Sequence, residues 1–140
     1  MMKAKNNHPL YCYLDEAEIR IVEQARHSQV FLPGDTIISA GDRKRDILCI
    51  DEGVVLIFID NDADETIEIA RLQAGSLLGE MNFVMPTHRT AHAKALGEVK
   101  ASIYSYHELS AILAQNHSLA GKVFAALNLQ MTHKLLDIKQ

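Results

Sequence analysis

Between Val30 and Tyr106 the chain is a series of short apolar runs, each cut off by turn residues, and that punctuation leaves room for little except short strands. Val30-Phe31-Leu32 stops at Pro33-Gly34-Asp35, and Thr36-Ile37-Ile38 stops at Gly41-Asp42. Ile47-Leu48-Cys49-Ile50 stops at Asp51-Glu52-Gly53, and the run from Val54 to Ile59 follows at once. The segment Thr66-Ile67-Glu68-Ile69-Ala70-Arg71-Leu72 alternates apolar and polar residues, the pattern of a half-buried strand. An irregular segment with glycine and proline comes next, and then a second strand group, Ala91–Ala95 and Val99–Tyr104. Short strands at regular spacing, with turns between them, predict an antiparallel sandwich or barrel.

Both ends of the chain read differently. Ile19, Val22 and Ala25 recur at three-residue spacing among charges, which predicts a helix over 15–27. Asp15 can cap it, with Glu18 three residues later as in a capping box. The first ten residues are polar and unpatterned and read as a loose tail. Beyond Tyr106, His107–Ala114 predicts a short helix around Leu109, Ile112 and Leu113. From Asn116 to Lys139 the apolar residues Val123, Phe124, Leu127, Met131, Leu135 and Ile138 fall three and four apart, giving a helix of about six turns. The expected fold class is mainly β with flanking helices: an antiparallel, jelly-roll-like β-roll with an N-terminal helix and two C-terminal helices. A single domain is expected over 1–140, since 140 residues suit one core. Within it, 30–106 is the β-roll and 107–139 the C-terminal helices.

Composition narrows the function classes. The net charge of -4 argues against nucleic acid, which attracts basic surfaces. The one basic cluster, Arg43-Lys44-Arg45, is flanked by Asp42 and Asp46 and reads as a solvated loop. No apolar run nears the roughly 18 residues of a membrane span, and no apolar stretch follows the N-terminal lysines as in a secretory signal. Two cysteines, Cys12 and Cys49, are too few for a disulfide framework. A cytoplasmic setting is expected.

The chemistry concentrates between Gly75 and Ala91. Gly79 opens a short helical turn whose free amides can face an anion, and the Glu80 carboxylate follows directly. Ten residues after Gly79 comes Arg89, whose guanidinium can hold a phosphate through a fork of donors, and Thr90 adds a hydroxyl. These groups suit a phosphorylated sugar ring and include neither a metal site nor a base for hydrolysis.

Gly79-Glu80 with Arg89-Thr90-Ala91, behind the punctuated strands Phe31–Ile37, Gly41 and Ile50–Val55, resembles the phosphate-binding cassette and β-roll of the cyclic-nucleotide-binding domain family. That family includes the catabolite activator proteins and the regulatory subunits of cyclic-AMP-dependent kinase. The resemblance runs from about Leu14 to Lys139. It implies that Glu80 accepts from a ribose 2′-hydroxyl and that Arg89 pairs with the cyclic phosphate. Thr90 would contact phosphate or base, and Gly79, Met81 and Asn82 would form the turn whose backbone approaches the ligand. Phe83 and Ala91 would support it. Three residues or segments depart from the usual pattern: Asn82 stands for alanine or glycine, Leu78 for a bulkier residue, and Val84–His88 for a small or acidic loop.

The resemblance further implies cyclic AMP or cyclic GMP as ligand, with cyclic AMP ahead, although a cyclic dinucleotide also suits such a fold. The residue on the base would come from the last helix, where Asn128, Thr132 and His133 are candidates. In the family this helix is also a dimer interface, so a homodimer is expected through it. The transcription-factor branch carries a basic helix-turn-helix after the long helix, whereas this sequence ends at Gln140, so output is expected through a separate effector protein or through the dimer.

Other readings carry less. Asp60–Glu65 begins like a calcium loop, but its sixth and twelfth places hold Glu65 and Arg71 instead of glycine and glutamate, so it reads as an acidic hairpin tip. His88 and His92 would be the ligands of a cupin-like metal enzyme, with a cationic Arg89 unfavourably between them. No nucleophile–base constellation stands out, so no enzyme is expected. The main alternative is a nucleotide-independent protein-interaction domain of the same fold.

Overall fold

Helix α1, Glu16–Glu23, begins at the expected capping box: the Asp15 carboxylate accepts from the Glu18 amide at 2.8 Å and the Glu18 carboxylate accepts from the Asp15 amide at 2.9 Å. The structure is a computed structural model that describes residues 6–139. The helix ends at Glu23, short of the expected residue 27, because Arg26–Phe31 is taken up as strand β1 opposite Val99–Tyr104. Pairing along a whole strand outweighs the continued helical spacing at Ala25. The strands that follow are β2 Thr36–Ile38, β3 Ile47–Glu52, β4 Val55–Asp60, β5 Thr66–Leu72 and β6 Leu77–Leu78. A short helix α2, Glu80–Val84, precedes β7 His92–Ala95 and β8 Val99–Tyr104, and the helices α3 Tyr106–Gln115 and α4 His117–Lys139 complete the order. Among the described residues no helix is long and apolar enough to cross a membrane.

Among the described residues the eight strands form two antiparallel sheets, ordered β1-β8-β3-β6 and β2-β7-β4-β5. Alternation along the first sheet serves two clusters. Ile47, Cys49, Leu77 and Tyr104 face the helices, while Leu48, Ile50, Leu78 and Val99 face the second sheet. Burial pushes the Cys49 thiol up to about 12, so it remains protonated and acts as a small apolar filler.

The loose-tail reading of 1–10 fails where the chain is described. Leu10 is fully buried, with Tyr11, Cys12 and Leu14 beside it. Tyr11 stacks on His8 at 3.9 Å and its hydroxyl meets that of Tyr104 at 2.6 Å. Burial holds the His8 imidazole below its ordinary value. These residues pack through turns, which leave no periodic trace in sequence; residues 1–5 lie outside the described residues.

The reading of β5 as half-buried also needs correction. It is an edge strand, and Ile67 and Ile69 are 44% and 53% exposed. Alternation gives a strand its two faces, and the neighbouring layers decide whether either is covered. The Asp60–Glu65 segment does form the hairpin tip: Asn61 Oδ1 accepts from the amides of Ala63 and Glu65, both at 2.9 Å.

Gly53 closes the β3–β4 turn at φ +102°, where a Cβ would sit 2.5 Å from the Glu98 carbonyl oxygen. Gly53→Ala is therefore expected to cost about 3 kcal/mol, from positive-φ strain and a backbone overlap. Urea unfolding measures this, and a loss below about 0.5 kcal/mol would mean that the turn relaxes freely.

Candidate ligand-binding site

Leu77–Leu78, too short for a sequence pattern to reveal, pairs with Leu48 and Cys49 and delivers the chain to Gly79 at the edge of the first sheet. Gly79 takes φ +78°, a left-handed turn into α2. The first-turn amides of that helix have no partner within it. A Cβ at Gly79 would overlap the Arg89 guanidinium and lie 2.8 Å from the Asp46 carbonyl oxygen. The glycine is what lets the arginine lie across the turn.

Arg89 is 5% exposed. Its main chain is pinned by the Gly41–Asp42 turn, with its amide donating to the Asp42 carbonyl at 2.6 Å and its carbonyl accepting from the Gly41 amide at 2.8 Å. From the guanidinium, Nη1 donates to the Gly79 carbonyl at 3.3 Å and to Asn82 Oδ1 at 3.0 Å, and Nη2 donates to the Asp46 carbonyl at 2.9 Å. Of its five N–H groups, those on Nε and one on Nη2 make no bond to the described residues. Burial pulls its pKa down, while the carboxylates of Asp42, Asp46 and Glu80 pull the other way. The arginine is thus a desolvated cation with donors left over.

Asn82, the residue that departs from the family pattern, is 7% exposed and bridges two parts of the cassette. Its Nδ2 donates to the Thr87 carbonyl at 3.0 Å while its Oδ1 holds Arg89. The amide side chain thereby ties down the unusual Val84–His88 loop and orients the guanidinium.

Glu80 is 3% exposed and pairs with Lys134 Nζ at 2.5 Å; the same ammonium donates to the Leu77 carbonyl at 2.6 Å. Lys134 was not foreseen. Asn128, Thr132 and His133, the candidates on the last helix, are exposed, and none of them lines the cavity. A signal was available, because Lys134 continues the buried helical face at Leu127 and Met131 by steps of four and three.

Gly79, Glu80, Met81, Asn82, Arg89 and Thr90 all line one cavity of about 420 Å³, together with His88, His92 and Lys134. Its opposite wall is apolar, built from Ile38, Ile57, Ile69, Ala70 and Leu72. Met81 and Thr90 stand exposed at the lip. The volume lies within the roughly 300–1,000 Å³ of small-molecule pockets. His92 is committed elsewhere: it stacks on Phe58 at 5.1 Å, accepts from the Ala40 amide at 3.1 Å and faces Asp60 at 3.4 Å. Among the described residues no three His, Cys, Asp or Glu side chains converge on a possible metal position.

A buried arginine with spare donors and a buried carboxylate, set against an apolar wall in a β-roll, suit a small ligand that is anionic at one end and apolar at the other. The sequence profile of the cyclic nucleotide-binding domain matches residues 28–116, and the chain belongs to that family. In fold it is similar to the N-terminal domain of a transcriptional regulator from Streptomyces coelicolor A3(2), at 23% identity and TM-score 0.79, covering 100% of this chain and 96% of that one. It is similar to the catabolite activator protein of Thermus thermophilus at 21% identity and TM-score 0.76, covering 94% of this chain and 62% of that one. The regulatory subunit of a cAMP-independent protein kinase A from Trypanosoma brucei matches at 23% identity and TM-score 0.76, over 92% of this chain and 44% of that one. The family is that of the cyclic nucleotide-binding domain, and the neighbours are by name a transcriptional regulator, a catabolite activator protein and a kinase regulatory subunit.

Proposed function

We propose that this chain is a regulatory module that binds a cyclic mononucleotide, cyclic AMP ahead of cyclic GMP, and signals through its C-terminal helices. The observation that carries the reading is Arg89, a nearly buried cation with two uncommitted donors beside the Gly79–Asn82 turn. A cyclic phosphate there would meet the guanidinium and the first-turn amides, with Thr90 adjacent. Glu80 would accept from the ribose 2′-hydroxyl and share its carboxylate with Lys134, so the sugar would report directly to α4. The purine would lie against the apolar wall of Ile57, Ile69 and Leu72.

Exposed Phe124 and Leu135 on α4 support a homodimer through that helix; buried Leu127 belongs to the fold instead, and the Ile138 side chain lies outside the described residues. The reading places the protein in the cytoplasm, acting on a separate effector protein or through the dimer. Saturating nucleotide at about 100 times its Kd is expected to stabilise the fold by about 2.7 kcal/mol, a rise in Tm of about 8 °C. Melts run side by side with cyclic AMP and cyclic GMP test this. No shift with either, on protein freed of carried-over ligand, sinks the reading.

One observation favours a second reading. Lys134 already satisfies Glu80, and three protein acceptors already engage Arg89. A nucleotide-independent interaction domain would keep these contacts permanently, as the name of the trypanosomal relative allows for that protein. In that case dimer or partner binding would be equal with and without nucleotide.

A further inference from the structure

We propose that the Arg45–Asp46 dipeptide, in the loop entering β3, is the link that ties the ligand cassette to helix α3. As signalling, the link rests on the nucleotide-site reading above; as a structural coupling it stands without a ligand. Arg45 belongs to the basic cluster expected to be solvated, and Arg43 and Lys44 are indeed exposed. Arg45 turns inward instead. Its Nε donates to the Asn82 carbonyl and its Nη2 to the Phe83 carbonyl, both at 2.8 Å. Its Nη1 donates to the Tyr106 hydroxyl at 2.7 Å, and the guanidinium lies 3.9 Å above the Tyr106 ring centroid.

Asp46 grips the same two elements from the other side. Its carbonyl accepts from Arg89 Nη2 at 2.9 Å, and its carboxylate Oδ1 accepts from the Tyr106 amide at 2.8 Å. Two consecutive residues therefore hold both arms of the cassette and both the main chain and side chain of the first residue of α3.

The chemistry makes this a rigid joint. The carbonyls at the C-terminal end of a short helix lack helical partners and carry partial negative charge. A guanidinium satisfies two of them at once because its fork is planar and fixed, which a lysine cannot reproduce. Stacking on Tyr106 sets the plane of that fork. A shift of α2 or of Arg89 towards an anion thus changes the hold on the start of α3. Arg45 is a positioning residue in this scheme and touches no ligand.

The test is a double-substitution cycle read by amide hydrogen exchange over Tyr106–Gln115 in the full chain without nucleotide. Asn82→Ala, which loosens Arg89, is expected to speed exchange there about tenfold in the parent. In an Arg45→Met background it is expected to add only about threefold, because the Asp46 arm alone then joins the cassette to α3. Equal factors in both backgrounds, or no effect of Asn82→Ala on α3 in the parent, overturn the link. Should Arg45→Met fail to fold, Tyr106→Phe removes only the hydroxyl acceptor and takes its place, with the same non-additivity expected and additivity again overturning the link. Adding cyclic AMP or cyclic GMP extends the cycle: a ligand-induced change in α3 that vanishes in Arg45→Met supports the link, and one that persists unaltered overturns its role in signalling. Absence of nucleotide binding to the parent overturns the proposed function alone, since the ligand-free cycle still decides the joint.

Discussion

Arg89→Ala is expected to erase the nucleotide-dependent rise in Tm while the protein still folds. At the Gly79–Asn82 turn Lys134 is paired with Glu80 and Arg45 is spent on the Asn82 and Phe83 carbonyls, so the spare donors belong to Arg89, and a charge-assisted fork to phosphate exceeds what the neutral amides supply alone. Its loss is expected to weaken nucleotide binding by at least about 100-fold. Ligand-free stability is expected to fall by only about 1–2 kcal/mol. Removal frees the acceptors on Gly79, Asn82 and Asp46, but it also removes a cation whose burial is itself unfavourable. Arg89→Lys keeps the charge without the fork and is expected to recover little of the response. Calorimetric titration of both variants checks this, and a full nucleotide response in Arg89→Ala would remove the phosphate from this position. Glu80→Ala is expected to weaken binding without abolishing it, because the phosphate contacts survive.

Gly79→Ala is expected to damage fold and site together. At φ +78° a side chain is strained by about 1–2 kcal/mol, and the new Cβ would overlap the Arg89 guanidinium and crowd the Asp46 carbonyl. The arginine is able to swing aside, but the backbone oxygen at 2.8 Å is not. A loss of about 3 kcal/mol in urea unfolding is expected, with no measurable nucleotide response in the protein that remains folded. Gly53→Ala provides the comparison, because its overlap with Glu98 is remote from Arg89 and concerns stability alone. A Gly79→Ala protein with normal stability and normal titration would show that the cassette tolerates a left-handed alanine and that Arg89 does not need that space.

The strands were legible because most of the turns between them carry a glycine, or in one case Asp64, at positive φ. The cassette was legible because Gly79, Glu80 and Arg89 keep the family spacing, and the structure brings them to one cavity. What escaped had no periodic signature. Leu10 is buried through turns, β6 has two residues, and the exposure of β5 depends on which layer lies opposite. Arg45 and Lys134 escaped for a different reason. Long cationic side chains at polar positions usually run to solvent, and only the tertiary fold sets Asn82, Phe83 and Glu80 within their reach.

The first sheet works as a partition shared by two apolar clusters, one under the helices and one between the sheets. Neighbouring residues such as Ile47 and Leu48 belong to different clusters. A partition of this kind lets the chain open in stages: the helical layer can detach from one face while the other face stays sealed. Two levels of sub-global opening follow, with α3 and α4 exchanging at lower free energy than β3 and β8. A chain assembled this way can rearrange its helical layer repeatedly without melting the frame that holds Arg89.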